Sequence, residues 1–486
     1  MSGGMRYTGS RFLVASSLVR QARVPAPTWA WVGEIMKLMA RWCAVAMILV
    51  AWPAWGGVRP RYGGTLRVAM AESLSSLDPA QDGGAVGRVT PLLFDTLVRV
   101  DAEGRGHPQL AVAWQADLSF KRWQFWLRPG VRFSDGTPLT AVAVADALGG
   151  HSDWKARADG EFVVIESAAS RPGLLAELAL ARNAVVRRGT ELVGTGPFVA
   201  KSFVAGKSLE LAANDGSWGG RPFVDEVQIE FGKSLREQMT AFQLRKLDLI
   251  EVGAEQIGKV ESEGRKAQVS LPMELVAVVG GATNVREALS LAVDRKAIQS
   301  VLLRGGSEPA GGVLPEWMAG TGVLFPVQVD LERGRSLVRD AKARQDNKSG
   351  QARAPAPTRA LTLSCDAGDG LARLLADRVA LNAREVGLAV QVVASGGDLR
   401  LERIALGSGD PGAALGEVGR AVGVRVAAGL LAPGEIYLAE KKLMAEGALV
   451  PLLHLPMGSL VGERVRGFSA GKLGGWELEE VWVEGN

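Results

Sequence analysis

Histidine, the side chain that most often binds metals in proteins, occurs at only three positions of this 486-residue chain: His107, His151 and His454. None of them has a second histidine or a cysteine at the short spacing by which one helix or one turn presents two metal ligands. The histidines therefore do not predict a zinc or copper site. We expect no metal and no cofactor.

Two segments, Gly206–Ser208 and Gly232–Ser234, read Gly-Lys-Ser, like the end of a phosphate-binding loop. Such a loop needs another glycine five residues earlier, so that its backbone can wrap around a phosphate. Lys201 and Val227 stand at those two positions. The segments therefore do not predict nucleotide binding.

Ser152 and Lys155 have the Ser-x-x-Lys spacing of penicillin-recognising enzymes, but the companion motifs of those enzymes are missing. No nucleophile with a recognisable base follows from the rest of the chain. We predict that the protein is not an enzyme.

The composition is that of a globular protein, with 47% hydrophobic and 22% charged residues and a net charge of +4. The length allows a large core and at least two lobes. Basic residues are scattered and form no arm or run, which argues against nucleic-acid binding.

Residues 36–56 read as a secretory signal peptide. Lys37 and Arg41 precede the apolar run Trp42–Trp52, and cleavage is expected after Gly56. The run is shorter than the roughly 20 apolar residues that span a bilayer. An uncleaved anchor is the alternative.

The two cysteines support export as a soluble protein. Cys43 lies inside the apolar run and would be removed, and the apolar residues after it do not favour a lipid anchor. Cys365 would then be alone, without an intramolecular disulfide. We predict a periplasmic protein.

Strands and helices alternate along the remaining chain, which is typical of an α/β fold. Thr65–Ala71 alternates like a first strand, and Asp78-Pro79 indicates a turn. A helical stretch is expected to end in Phe94–Asp101, and Trp123–Phe133 reads as a hairpin strand.

Capping residues mark later helices. Thr140 and Asp294 are predicted N-caps, and Gly387 is predicted to end a helix before the next strand. The polar tract Ala341–Thr358 reads as a surface loop.

The segment Val193–Phe231 combines a Gly-Thr-Gly-Pro turn, two alternating strands, a Trp-Gly-Gly turn and a third strand. The first turn, which contains Thr195, is predicted to need a positive φ at Gly196. Trp218 anchors the second turn by packing, or it forms part of a cleft wall.

This segment resembles the signature of the extracytoplasmic solute-binding proteins of family 5, which serve peptide and nickel ABC importers. Other segments resemble the family in the same order: Leu77–Pro79, Leu93–Val98, Pro108–Trp114, Phe125–Phe133, Asp135–Asp146, Val285–Ile298, Leu371–Val393 and His454–Phe468. The resemblance rests on their collinearity, since no single motif is decisive.

The resemblance implies a two-lobed clamshell of the type II periplasmic-binding-protein kind, with a reduced extra subdomain in the first lobe. The expected organisation is a leader and signal peptide at 1–56, lobe 1 at 57–270 with an insert at about 100–190, lobe 2 at 271–446, and a return to lobe 1 at 447–486.

In such proteins the ligand lies in the crevice between the lobes, beyond the carboxyl ends of strands. Residues just ahead of Leu77–Pro79, the two turns of the signature, and the passage before a late helix are expected there. The candidate ligand-binding residues are Ser73, Leu74, Ser75, Thr195, Trp218, Ser408, Gly409 and Asp410.

Asp410 is open to two interpretations. In the family, an acidic residue in this passage pairs with the amino terminus of a bound peptide, as a carboxylate facing an ammonium does. Here the passage Leu406–Pro411 is shortened and lacks the family's tryptophan. The alternative is that Asp410 caps the following helix.

The resemblance implies the substrate-binding component of an ABC importer. It would capture a short peptide or similar small solute by hinge closure and deliver it to permease subunits in the inner membrane, generally as a monomer. Two alternatives stay open: a binder of nickel chelates, opines or oligosaccharides, and a degenerate member that acts as a sensor or adaptor.

Overall fold

The computed structural model describes residues 59–81, 84–151, 153–320, 322–348, 360–426 and 433–484. The predicted signal peptide, with Cys43, lies outside these residues, as does Ser152. Within the described part of the chain, no helix combines the length and the apolar character needed to cross a bilayer.

Most of the described strands are short, and two have thirteen residues. The strands are β1 (Thr65–Ala69), β2 (Val98–Val100), β3 (Gly106–Pro108), β4 (Ala111–Ala116), β5 (Arg122–Leu127), β6 (Lys155–Asp159), β7 (Phe162–Glu166), β8 (Arg187–Arg188), β9 (Leu192–Val193), β10 (Phe198–Val204), β11 (Ser208–Ala213), β12 (Glu226–Glu230), β13 (Leu249–Val252), β14 (Gln268–Gly280), β15 (Glu308–Pro309), β16 (Leu361–Ser364), β17 (Val390–Val393), β18 (Leu399–Ala405), β19 (Leu449–Val461), β20 (Val465–Arg466), β21 (Ser469–Ala470), β22 (Trp476–Glu477) and β23 (Trp482–Val483).

Helices occur between some of these strands, and the other strands follow one another directly. They are α1 (Gly84–Leu93), α2 (Ala141–Ala147), α3 (Leu174–Leu178), α4 (Leu235–Gln243), α5 (Ala254–Ser262), α6 (Thr283–Ala292), α7 (Arg295–Ala297), α8 (Glu316–Ala319), α9 (Leu331–Lys348), α10 (Gly370–Glu385), α11 (Pro411–Ala421) and α12 (Pro433–Glu446), with 3₁₀ turns at Ala181–Asn183 and Gly322–Leu324 and a π turn at Ile298–Leu302.

A single mixed sheet runs through the molecule in the order β10-β11-β12-β1-β13-β19-β14-β18-β16-β17, with β15 beside β19. We call β10 to β13 with β1 the first half of the sheet, and β16 to β18 the second half. The two halves are joined through β14 and β19. This order is compatible with the two predicted lobes, whose boundaries stay a prediction.

Strand β14 is apolar on both faces because each face covers a different core. Val276 and Val278 pack into one cluster of buried residues, and Leu275 and Ala277 into another. A strand buried on both sides has a nearly continuous apolar sequence. The residues of β14 that follow Glu274 form such a continuous apolar sequence.

Two prolines interrupt the β14–β19 ladder near its middle. Pro272 of β14 lies opposite Pro456 of β19, and the register shifts on either side of Pro272. Neither residue has a backbone N–H to donate to the ladder. The two strands are therefore least tightly joined where they pass between the halves.

A smaller antiparallel sheet, in the order β4-β5-β7-β6, packs with α2 and α3 around its own core. Phe125, Val163 and Leu178 lie fully buried in that core. We call this sheet, with α2, α3 and the adjoining loops from 98 to 193, the insert.

The chain leaves helical structure earlier than predicted at one point. Helix α1 ends at Leu93, and Val98–Val100 forms the hairpin strand β2. The prediction of a helix ending within Phe94–Asp101 was wrong. The backbone N–H of Gly196 donates to the Leu93 carbonyl at 3.1 Å, so the signature turn covers the end of the helix.

Part of the predicted loop Ala341–Thr358 is helical. Helix α9 continues to Lys348, and residues 349–359 lie outside the described residues. Alanine, lysine, arginine and glutamine are strong helix formers. The polar composition of this tract led to the prediction of a loop, but it is equally compatible with an exposed helix.

Gly196 does not have the predicted positive φ. A Cβ on this residue would lie 2.5 Å from the Leu93 carbonyl carbon, and one on Gly194 would lie 2.2 Å from the Leu93 carbonyl oxygen. The turn therefore requires glycine because two backbones approach closely.

The predicted caps are confirmed. The Thr140 side chain accepts from the backbone N–H of Ala143, and the Asp294 side chain from that of Ala297. Gly387 follows α10 in the left-handed region, with φ +86°. These helix ends depend on which residue stands at the cap position, and the sequence shows that residue directly.

Arg295 is a buried cation satisfied by backbone carbonyls. Its guanidinium donates to the carbonyls of Pro451 at 2.8 and 3.0 Å and of Ser290 at 2.8 Å. Burial lowers its pKa to about 10. The side chain ties the helix pair α6–α7 to the start of β19.

His454 predicts an acid-sensitive step in stability. The ring lies buried on β19, with Nε2 2.9 Å from the Val313 carbonyl, and burial lowers its pKa to about 4. The unfolded chain binds this proton near pH 6.5, so stability should fall as pH drops from about 6.5 towards 4. Between pH 7 and 5 this histidine should remove about 2 kcal/mol.

Urea unfolding of the wild type and of His454→Gln, at pH 7 and pH 5, measures this contribution. The glutamine cannot titrate, so its loss between the two pH values should be smaller by that amount. Equal losses in the two proteins would refute the assignment.

Candidate functional site

The carboxyl ends of strands in both halves point towards one another. β13 pairs with the part of β19 that lies opposite the start of β14, and β18 pairs with the end of β14, so β14 runs from the first half to the second. β1 and β13 are parallel to β14 and therefore run towards the second half as well. β18 is antiparallel to β14 and parallel to β16, so these two run towards the first half. Ligands of α/β proteins bind beyond such strand ends.

A cavity of about 680 Å³ lies near one of these strand ends, since Gly409 and Pro411 of its lining follow β18. Its walls come from five separate segments, namely Ala102 with Glu103, Val269–Leu271, Trp317 with Met318, Gly409 with Pro411, and Ala470 with Lys472. Small-molecule sites typically have roughly 300–1,000 Å³ and collect residues from several elements. This cavity is the candidate site.

The cavity wall is largely apolar, and its two charged side chains are Glu103 and Lys472. The Trp317 indole N–H donates to the Pro272 carbonyl at 3.2 Å, which fixes the ring beside Met318. The ammonium of Lys472 lies 3.6 Å from the Glu103 carboxylate, and both side chains are more than half exposed. Glu103 also accepts from the Arg105 guanidinium at 3.0 Å. The exposed Lys472 contact is the longer of the two and separates at little cost.

Asp410 caps α11, as in the second interpretation of the sequence. Its carboxylate accepts from the backbone N–H of Ala413 at 2.8 Å, and the Ser408 hydroxyl accepts from the backbone N–H of Asp410 at 3.1 Å. Burial raises the pKa of the Asp410 carboxyl. Of Ser408, Gly409 and Asp410, Gly409 lines the cavity.

Thr195 and Trp218 meet at a buried carboxylate, that of Asp95. The Thr195 hydroxyl and the Trp218 indole N–H each donate to Asp95 Oδ2 at 2.8 Å, and Gln109 donates to Oδ1 at 2.7 Å. The Arg128 guanidinium lies over the Trp218 ring, 4.5 Å from its centre. Asp95 thereby joins both turns of the signature to the insert.

Ser73, Leu74 and Ser75 lie after β1. Leu74 is buried in the core of the first half, and its carbonyl accepts from the backbone N–H of Gly206 at 2.7 Å. Ser73 and Ser75 are exposed. The described lining of the cavity does not include these three residues.

Sequence reasoning missed a charged cluster on the other face of β14. Arg403 binds both carboxylate oxygens of Glu274, at 2.6 and 2.8 Å, and Asp369 at 2.5 Å. Burial lowers the pKa of Arg403, but the two carboxylates outweigh it and raise that pKa. Burial raises the pKa of nearby Glu255. The sequence signal was a glutamate, Glu274, directly before the apolar run of β14.

The three histidines lie in different surroundings. His107 contacts Asp101 at 2.7 Å, His151 stacks on Trp154, and His454 faces a backbone carbonyl. Among the residues that the structure describes, no three histidine, cysteine, aspartate or glutamate side chains form a group that could hold a metal ion.

Comparison with protein families gives a match over just over half of the chain. The family described as "Bacterial extracellular solute-binding proteins, family 5 Middle" matches residues 163–413. The chain belongs to this family. The resemblance seen in the sequence is thereby confirmed, and the matched residues include the signature turns and the passage at Asp410.

Similar proteins carry binding-protein names. The nickel-binding periplasmic protein of Escherichia coli is 26% identical over 62% of this chain and 66% of its own length. The probable D,D-dipeptide-binding periplasmic protein DdpA of E. coli is 26% identical over 45% of this chain and 49% of its length. The matched segments thus span less than two thirds of these relatives.

Solved structures confirm the fold. The oligopeptide-binding protein AppA of Bacillus subtilis, in complex with a nonapeptide, has a TM-score of 0.71 at 16% identity, covering 88% of this chain and 100% of AppA. Helicobacter pylori DppA, in complex with the peptide STSA, has a TM-score of 0.72 at 15% identity, covering 88% and 99%. The predicted type II periplasmic-binding-protein fold is correct.

Asp95 should be the polar residue whose change most disturbs the signature turns. In Asp95→Asn, one oxygen acceptor becomes an NH₂ group that faces a donor, so buried donors lose their partner. We expect a loss of about 2–4 kcal/mol in the free energy of unfolding.

Urea unfolding of Asp95→Asn beside Asp215→Asn tests this expectation. Asp215 is an exposed aspartate in the same turn region, and its change should cost at most about 0.5 kcal/mol. If the two variants were equally stable, Asp95 would not have the role described.

Proposed function

We propose that this protein is a periplasmic solute-binding protein that captures a small solute, such as a short peptide, and delivers it to the permease subunits of an ABC importer. The observation that carries the proposal is the 680 Å³ cavity, whose lining comes from the insert, the crossing strand β14, α8, the start of α11 and the C-terminal segment. Family membership supports the same role.

Capture would proceed by bending of the crossing strands. The interrupted ladder at Pro272 and Pro456 offers a place where the halves can separate without breaking a continuous row of hydrogen bonds. Separation would part the cavity walls and admit a solute. A solute that contacts both sides binds the closed form more tightly than the open form, and this difference in affinity determines how far it shifts the protein towards the closed form.

The lining favours a short zwitterionic solute. Lys472 suits a carboxylate, and Glu103, which also pairs with Arg105, would accept an ammonium group in place of Lys472. Trp317 and Met318 offer an apolar surface for a side chain. Relatives are named for nickel as well as for peptides. Because the histidines lie apart, nickel would have to enter here as a preformed chelate.

Tryptophan fluorescence tests the site and the ligand class together. Di- to hexapeptides, nickel chelates, opines and oligosaccharides would be titrated into the purified protein, with calorimetry on each responding compound. The chain has 13 tryptophans, so Trp317→Phe identifies the signal that arises in the cavity. A bound solute should change the fluorescence of the wild type, and Trp317→Phe should lose most of that change.

Trp126→Phe is the matched control, because Trp126 packs against Phe162 in the insert. It should keep the wild-type response. If no compound gave heat or a fluorescence change, the solute-binding role would be refuted and the sensor or adaptor alternative favoured. A response unaffected by Trp317→Phe would place the ligand elsewhere.

A further inference from the structure

The insert touches the start of α11, the helix that follows β18 of the second half. A Cβ on Gly409 would lie 2.3 Å from the carbonyl oxygen of Asp101, so two backbones meet there. Ala176 and Leu180 of the insert form a small buried cluster with Ala413 of α11. Backbone and apolar contacts thus join parts of the chain that are far apart in sequence.

An ion pair lies beside this cluster. Arg182, in the 3₁₀ turn after α3, donates to Glu177 of the insert at 2.5 Å and to Glu417 of α11. Glu417 also accepts from Arg420 at 2.5 Å. The side chains of Arg182, Glu177 and Glu417 are only 20%, 17% and 14% exposed, so solvent screens this pair less than an ordinary surface pair.

The contact lies at the edge of the cavity. Ala102 and Glu103 on the insert side and Gly409 and Pro411 on the α11 side all line the cavity. Opening the cavity between these walls would break the contact. Its groups satisfy one another directly, so its stability does not depend on a solute.

We infer that Arg182, Glu417 and the Leu180–Ala413 contact form a latch, which holds the insert against α11 and keeps the proposed solute site closed. Only the identity of the site rests on the proposed function, since the closing equilibrium exists without any solute. Because the latch already favours the closed form, a solute has to contribute less binding free energy to close the protein.

Spin labels on either side of the latch measure closure in the solute-free protein. Leu118→Cys lies at an exposed turn of the insert and Leu438→Cys on the exposed face of α12. The protein with these two labels and no other change should give a single distance. In Glu417→Gln the ratio of closed to open protein should fall about tenfold, between the effects of exposed and of buried ion pairs.

Two further proteins make the test specific. Glu446→Gln removes an ion pair to Lys442 within α12 itself, and it should leave the distance distribution unchanged. Arg182→Glu should open the protein, and adding Glu417→Arg should restore part of the closed population. Circular dichroism and thermal unfolding confirm that each variant is folded.

A distance distribution that is the same in the wild type, Glu417→Gln and Arg182→Glu would overturn the latch. So would opening in Glu446→Gln equal to that in Glu417→Gln. Neither result depends on a solute, so a failed solute screen and a failed latch are separate outcomes.

Discussion

Strands β14 and β19 pair along most of their thirteen residues, and the described strands of the two halves meet in one sheet only through them. Each strand must be apolar on both faces, since cores lie on either side. Each must also carry proline at the crossing, which removes ladder bonds at one level. The same pair of strands therefore stabilises the core of each half, and it has fewer ladder hydrogen bonds where it passes between the halves.

The residues that make this family recognisable have packing roles, and other residues line the cavity. Thr195 and Trp218 serve Asp95, a carboxylate with three donors, and hold the end of α1, the signature turns and the insert in one arrangement. A buried carboxylate is costly unless its acceptor sites are filled. Residues of the signature are therefore explained by packing, whereas the cavity is lined by residues that the signature does not contain.

The passage at Asp410 brings the start of α11 against the insert. With Asp410 used as a cap and Gly409 against Asp101, the segment contacts the insert directly. Contacts of this kind lower the free energy of the closed arrangement on their own, whereas in an open clamshell the solute alone would supply that energy. The cavity beside Trp317 lies next to this contact.

The fold class, the first strand, the caps at Thr140 and Asp294 and the family could be predicted from the sequence. Each depends on periodicity, on local backbone chemistry or on the order of segments, which are properties of neighbouring residues. The helix boundary at Leu93, the α9 helix and the reason for Gly196 could not. Each was decided by a tertiary contact, or by an ambiguity between exposed helix and loop.

The candidate site was predicted only in part. Sequence reasoning selected Gly409, but it missed Glu103, Trp317 and Lys472, which come from three distant segments. The sequence by itself determined which residues are apolar, which turns need glycine and to which family the chain belongs. Only the tertiary structure decided which side chains share the cavity, because proximity between residues hundreds of positions apart follows from the register of β14 and β19 and not from local sequence.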